Sequence, residues 1–465
     1  MNRNYSHWGG ALRSLIPLAF RQRAYGEEQF HYFPDVGLAK YGPLRTIERI
    51  RLIHVMTDEI KSYLNGDKEF HELLVSELEE RLRKVLRVKR VEIDYKVLPS
   101  YDENFFNDLS NAIRDDQRAV ILVSLPKKFM GRYRAKRYYY LIKAWCLPEG
   151  VIVQAYSDST IRALTSGRNG GRETLLRNLA LNIFAKAGGV PWGLREKDSV
   201  PYDIVMGLGW SFYRGTGRTG SVTKVFSQVH TFSEKGVWQR FYGKIAEYEH
   251  LKELITSSLK DALLELKFTK PKDYYRVLIL SMKKLSSIEI KSILKTCDNL
   301  KKTGYVEADV EIVISQVSTL PGIRIYHKYS LGIPTRGIYF YLNSCTVVYL
   351  PVGLIESEEM GYGRPPKIMG TPIPLKIELL HPRKDILADI ELVKGVCEVC
   401  HKFAIMNWRT IRGLTRLPSP LHYSKCISDF IKELKGLLNL DEVFIRKRGV
   451  IFEIHERLKT RPWFI

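Results

Sequence analysis

The run Ala119–Leu125 is apolar except for Ser124. It reads as a central strand of a parallel sheet, where both faces must be covered and the polar alternation of a half-exposed strand is lost. The covering elements lie on either side in the sequence. Strand-like Ile50–Met56, Val91–Val97 and Val151–Ala155 alternate with helical patterns over 57–89, Asn104–Arg114, Tyr138–Trp145 and Thr174–Ala187. Within 57–89, Leu73, Leu74, Leu78, Leu82, Val85 and Leu86 fall at helical spacing. Strands alternating with helices predict an α/β, Rossmann-like sheet.

After Pro191 the pattern changes. Strands are expected at Tyr202–Leu208 and Thr223–Phe232, a long helix at Tyr248–Leu266, and a strand at Val277–Ser281. A helix at Ile288–Lys302 and a strand at Val310–Val317 follow. Gly337–Leu342, Thr346–Val352 and Leu375–Leu380 add antiparallel candidates, with helices at Asp385–Met406 and His422–Leu437. Two adjacent strands, then helix, strand, helix and strand suit an RNase H-like fold. The expected domains are a 1–36 extension, a body at 37–192 and a second body at 193–465. The extension is aromatic and basic and suits wrapping the body or meeting a partner. Gly37–Pro43 is expected to be a turn-rich lead-in.

Composition narrows the partner. Lys and Arg number 73 against 51 Asp and Glu, a formal charge of +22. From Val120 to Leu194 there are twelve basic and three acidic residues, so nine of the excess charges lie there. Such clustering favours a polyanion, because a phosphate backbone releases counterions when basic groups meet it. The six cysteines are sparse, which suits a reduced cytoplasmic setting. No apolar stretch reaches the roughly 18 residues that a membrane span needs, so no membrane insertion is expected. Arg13, Arg21 and Arg23 break the N-terminal apolar segment and argue against a secretory signal.

Within the basic stretch one constellation carries chemistry. Tyr139 and Lys143 are four residues apart and share a helix face. Gln154 follows one strand later, and Asn182 and Lys186 share the next helix. Ammonium groups, a phenol and amides converging on one point suit a terminal phosphate, whose oxygens accept hydrogen bonds.

Other motifs are decoys. Gly215-Thr-Gly-Arg-Thr-Gly220 spells G-x-G-x-x-G, but strand patterns flank it where a dinucleotide site needs a helix after it. It reads as a hairpin loop. Cys397-Glu-Val-Cys400-His401 spells a haem-attachment motif inside a helical pattern. It has no second ligand pair for zinc, so it reads as core or partner-facing.

The order Tyr-x-x-x-Lys, Gln, Asn-x-x-x-Lys-x-Gly-Gly-x-Pro-Trp resembles the guide 5′-phosphate pocket of the Argonaute MID domain. Asp203–Gly209, Met406-Asn407-Trp408, Pro420-Leu-His-Tyr423 and the end Arg461-Pro-Trp-Phe-Ile465 resemble PIWI segments, in order. The chain is therefore similar to short prokaryotic Argonautes, which consist of MID and PIWI domains without N and PAZ domains. The resemblance implies a Rossmann-like MID domain at 37–192 and an RNase H-like PIWI domain at 193–465. It implies that Lys143 and Lys186 neutralise a guide 5′-phosphate and that Tyr139 stacks on the first base. It also implies that Gln154 contacts the phosphate or a Mg²⁺ ion bound there, which the C-terminal carboxylate of Ile465 helps to hold. The implied partners are a guide oligonucleotide, RNA rather than DNA, and a complementary DNA target. A further one is an effector-associated protein resembling the missing N-terminal half, within an antiviral or anti-plasmid defence system.

An RNase H-like nuclease needs carboxylates, with a histidine able to replace one, to hold two metals. At the positions where the resemblance expects acids, this chain has Gly209, Lys283 and Asn407. The expectation is a catalytically inactive PIWI domain that recognises a target and activates an associated effector. The alternatives are a guided nuclease using displaced carboxylates, Asp203 and Glu247, and a nonspecific basic nucleic-acid binder.

Overall fold

In the computed structural model the apolar run is strand Val120–Ser124, buried at every residue. The structure describes residues 9–13, 15–21, 28–64, 67–102, 104–113, 119–165, 171–217, 220–247, 251–320, 322–326, 333–354, 356–357, 361–362, 372–437 and 454–465. The chain divides into two compact units, discontinuous in sequence. One comprises Ala19–Gly193, Trp408–Arg412 and Cys426–Ile465; the other comprises Met1–Leu18, Leu194–Asn407 and Gly413–Lys425.

The first unit is built on a four-stranded parallel sheet. Its strands are β1 (Arg49–Thr57), β2 (Arg90–Leu98), β3 (Val120–Ser124) and β4 (Ile152–Tyr156), in the order β2-β1-β3-β4. Register places His54 opposite Leu122, and Leu122 opposite Gln154. Helix α1 (Arg132–Cys146) begins after Gly131, and helix α2 (Arg172–Lys186) ends on Gly188, whose φ is +104°. A Cβ on the next residue, Gly189, would stand 2.3 Å from the Phe184 ring. The glycine pair therefore lets the chain fold back against α2. The helix Asp158–Thr165 is absent from the sequence reading. So is Pro34–Tyr41, where a turn-rich lead-in was expected. Pro34 opens that helix and Gly42, at φ +82°, closes it.

The second unit carries a nine-stranded mixed sheet. Its main strands are β5 (Ile204–Gly217), β6 (Gly220–Ser233), β7 (Trp238–Glu247), β8 (Tyr274–Ser281) and β9 (Asp309–Thr319), followed by β10 (Ile338–Asn343), β11 (Thr346–Tyr349) and β12 (Leu375–His381). From β7 the order is β7-β6-β5-β8-β9-β12-β11-β10, with the short strand Gly9–Ala11 at the far edge. Three antiparallel strands followed by two parallel ones make this an RNase H-like sheet. Helices Leu251–Thr269 and Ser287–Lys302 contribute Leu259, Leu263, Ile293 and Leu300 to a core with Met206, Val277 and Ile279. Strand β7 was missed because Trp238–Glu247 lacks clean alternation.

The expected 1–36 extension is shared: its described residues through Leu18 lie with the mixed sheet and those from Ala19 with the parallel sheet. The described residues from Cys426 onward, 426–437 and 454–465, also lie with the parallel sheet. The expected body at 193–465 thus gives its C-terminus to the other unit, where Lys143 Nζ reaches the Phe464 carbonyl at 3.4 Å.

Candidate nucleic-acid site

In the parallel-sheet unit a cavity of about 540 Å³ is lined by Tyr139, Tyr140, Gln154, Tyr156, Asn178 and Asn182, with Lys127, Arg132 and Lys136 also on its wall. Helical spacing aims Asn178 and Asn182 along one face of α2, and Lys186 lies four residues further on. The Asn182 Oδ1 is buried with no hydrogen-bond partner. A buried acceptor of that kind is costly unless a donor arrives.

Lys143 and Lys186 lie just off this lining, 6% and 1% exposed. Lys186 Nζ donates to Val153 O and to Gln154 Oε1, both at 2.8 Å. Burial first, then the charges of Lys143 and Arg409, push the Lys186 ammonium well below the usual lysine range. Lys143 Nζ stands 4.7 Å from the Tyr139 ring centroid. Burial raises the Tyr139 phenol, but Lys143, through charge and a hydrogen bond, and Arg409 outweigh it, so the net shift is downward. A phenol so poised donates readily to an anion.

Tyr139, Lys143, Gln154 and Lys186, proposed from spacing, are thus brought together, with Asn182 on the same cavity. One face of Tyr139 is taken by the Lys143 ammonium, which restricts the base stacking expected of it. Tyr140 also lines the cavity and packs at 5.0 Å against Tyr139.

Arg409 was missed because its segment, Trp408–Arg412, sits far along the sequence amid residues of the other unit. The Asn178 Oδ1 accepts from Ile411 N at 2.8 Å and pins that segment to α2. Arg409 Nη1 then meets Cys426 Sγ at 3.2 Å. No local pattern in the sequence signals that approach.

The implied Mg²⁺ ion fits this geometry poorly. Gln154 Oε1, one expected ligand, already accepts from an ammonium, and two further cations stand close. Among the described residues no three His, Cys, Asp or Glu side chains gather to hold a metal. Ile465 is 5% exposed, and it is the preceding carbonyl that meets Lys143. The donor set suits an anion directly.

In the mixed-sheet unit, Ser281 ends β8 opposite Leu208, the residue before Gly209. The Ser281 hydroxyl donates to Lys283 O at 2.7 Å and accepts from Lys283 N at 3.2 Å, fixing the turn. Glu378 accepts from Lys284 and Lys376, at 3.2 and 2.6 Å. Asn407 is buried, its N–H donating to Gly413 O. Asp203 lies before β5, where it accepts from Lys272 Nζ at 2.5 Å and Arg276 N at 2.9 Å. Six residues of strand separate it from Gly209, about 20 Å along the sheet. Glu289 caps the helix Ser287–Lys302 in a reciprocal box with Ser286. Glu247 ends β7, and its side chain lies outside the described residues.

The decoys resolve into structure. Residues 218–219 lie outside the described set, and β5 pairs with β6 on either side, Gly217 opposite Gly220. Cys397 and Cys400 are free and fully buried on helix α3 (Ile386–Phe403). His401 bonds Tyr349 OH at 2.7 Å and Arg13 O at 2.8 Å. The cysteine face of α3 is core, which removes it as a partner surface.

Fold and site together define an α/β protein pairing a parallel-sheet unit that carries a cationic cavity with an RNase H-like sheet. No protein-family model matches the chain. A Piwi protein of Archaeoglobus fulgidus is 22% identical over 442 residues, covering 92% of this chain and 93% of that protein. An Argonaute of A. aeolicus matches with a TM-score of 0.58, and Aa-Ago with externally bound siRNA with 0.60, both at 15% identity. They cover 91% and 98% of this chain but 53% and 56% of their own. The chain is thus similar over nearly its whole length to a Piwi protein, shares the fold of the Argonaute structures, and spans about half the length of those solved structures.

Proposed function

We propose that this chain is a guide-dependent nucleic-acid recognition subunit that holds a strand by its 5′-phosphate and does not cut the paired target. The observation that carries the reading is Lys186, 1% exposed, whose Nζ donates, among the described residues, to the neutral oxygens of Val153 and Gln154 while Lys143 and Arg409 raise the local positive potential. Burying such a charge is expensive without an anion to complete it. A terminal phosphate supplies two negative charges and several acceptors. Tyr139, Lys143, Lys186 and Arg409 receive it, and Gln154 orients Lys186.

The inactive reading rests on Gly209, Lys283 and Asn407 at the positions expected to hold acids, and on Asp203 being committed at the other end of its strand. The downstream effect belongs to an associated effector protein, in the cytoplasm, as part of a defence system. No described helix is long and apolar enough to cross a membrane. The test is to sequence nucleic acid copurified with the protein, then incubate the loaded protein with complementary target and Mg²⁺ or Mn²⁺. Copurified strands bearing 5′-phosphates and an intact target are expected. Sequence-specific cuts that survive purification controls would establish a nuclease instead.

A further inference from the structure

One wall of the cavity is backed by a pair of histidines that the phosphate chemistry does not use. Tyr156, 4% exposed, ends β4 and lines the cavity. Its hydroxyl meets His54 Nε2 at 2.7 Å. His54, on β1, is fully buried, and its Nδ1 faces His71 Nδ1 at 2.8 Å from helix Asp67–Glu80. The His71 ring stacks on Tyr95 of β2 at 4.3 Å, and Phe70 stacks on Tyr156 at 6.3 Å.

The register explains why the pair acts on this wall. His54 and Gln154 both lie opposite Leu122, so they share one row and one face of the sheet. Tyr156 stands one row further along that face. A neutral imidazole has one donor and one acceptor nitrogen. Of the two facing Nδ1 atoms, one must therefore donate and the other accept. That choice fixes the role left to His54 Nε2, and with it the orientation of the Tyr156 hydroxyl. Without His54 the phenol is a buried polar group lacking this partner, and the open space beside it is the cavity.

Building on the reading that this cavity takes the 5′ end of a guide, we propose that His54 is a positioning residue of the site. It locks Tyr156 as a fixed wall against the terminal nucleotide. His71 completes the lock from the helix side.

The test uses the full chain and two labelled oligonucleotides of one sequence, one 5′-phosphorylated and one with a 5′-hydroxyl. Fluorescence anisotropy gives affinities for the native protein, Tyr156→Phe, His54→Leu, their combination and His54→Gln. Tyr156→Phe keeps ring and volume, so the fold is kept, and the melting temperature of each variant is recorded. Each of the first two substitutions is expected to lower affinity for the phosphorylated strand about tenfold. The combination should cost no more than the larger single loss, because both break one contact. His54→Gln, which keeps a donor and an acceptor, should recover most of the loss. Independent, additive losses, or an unchanged affinity in Tyr156→Phe, would overturn the proposal. A native protein binding both strands equally would overturn the underlying reading instead.

Discussion

The lysines beside the cavity and the lysines around the strand ends of the mixed sheet are handled in opposite ways. In the parallel-sheet unit, Lys143 and Lys186 are buried and donate to neutral oxygens. In the mixed-sheet unit, Lys272, Lys284 and Lys376 keep their side chains 33–66% exposed, and each has a carboxylate partner. Exposed pairs contribute little to stability and demand nothing further. Buried Arg336 also donates to backbone carbonyls, but what sets Lys143 and Lys186 apart is that two such cations stand beside one open cavity. On the proposed reading, the contrast separates a cavity that receives an anion from strand ends closed by internal pairs.

The largest effect expected tests whether the two units share the same dependence on neutral buried groups. His54 and His230, one in each unit, are both held down to about 3, by burial first, with the His71 charge adding to it at His54. A depressed base stabilises the fold fully above its unfolded value of 6.5, and the contribution is lost as pH falls toward 3. The slope should be about 1.4 kcal/mol per pH unit for each histidine. Urea unfolding measured from pH 7 down to about 4 reads it, and His230→Phe should remove one histidine's share. A flat profile would show that these groups are not buried neutral.

Next in size are two glycines that can separate the units. A Cβ at Gly189 meets the Phe184 ring at 2.3 Å, and one at Gly207 meets the Pro420 backbone at 2.5 Å. Each change to alanine should cost about 2–3 kcal/mol, seen as a lower melting temperature. Only Gly189→Ala, which disturbs the end of α2 beside Lys186, should also reduce the preference for a 5′-phosphate. Equal loss of preference in both would break the distinction.

Smaller still, Arg409→Ala should weaken binding of the phosphorylated strand about fivefold to tenfold and lower the salt slope by about 0.7. Smallest is Lys284→Ala. It removes an exposed partner of Glu378 and should change stability by less than about 0.5 kcal/mol, with guide affinity unchanged.

The sequence made the cavity legible wherever its residues sit on regular elements. Tyr139 with Lys143, and Asn182 with Lys186, are helical pairs, and Gln154 lies on a short apolar strand. The parallel sheet was legible for the same reason, since its strands alternate with strongly periodic helices. Arg409 and the return of Cys426–Ile465 were not, because long-range chain reversal leaves no local pattern. The helix Pro34–Tyr41 was misread because Gly37 suggests a turn. In the structure that glycine lies inside the helix, where a Cβ would stand 2.1 Å from the Phe20 ring. The buried histidine pair was equally silent: His54 in an apolar strand and His71 in a helix carry no shared signature until the sheet brings them together.

The central claim is that the buried cations receive a terminal phosphate. Its most direct measurement is the ratio of affinities for 5′-phosphorylated and 5′-hydroxyl oligonucleotides, in the native protein and in Lys143→Ala combined with Lys186→Ala. A native ratio of about 100 or more is expected, from two charge-assisted contacts, with a ratio near one in the double variant. A native ratio near one, or a double variant that binds more weakly yet keeps the preference, would contradict it.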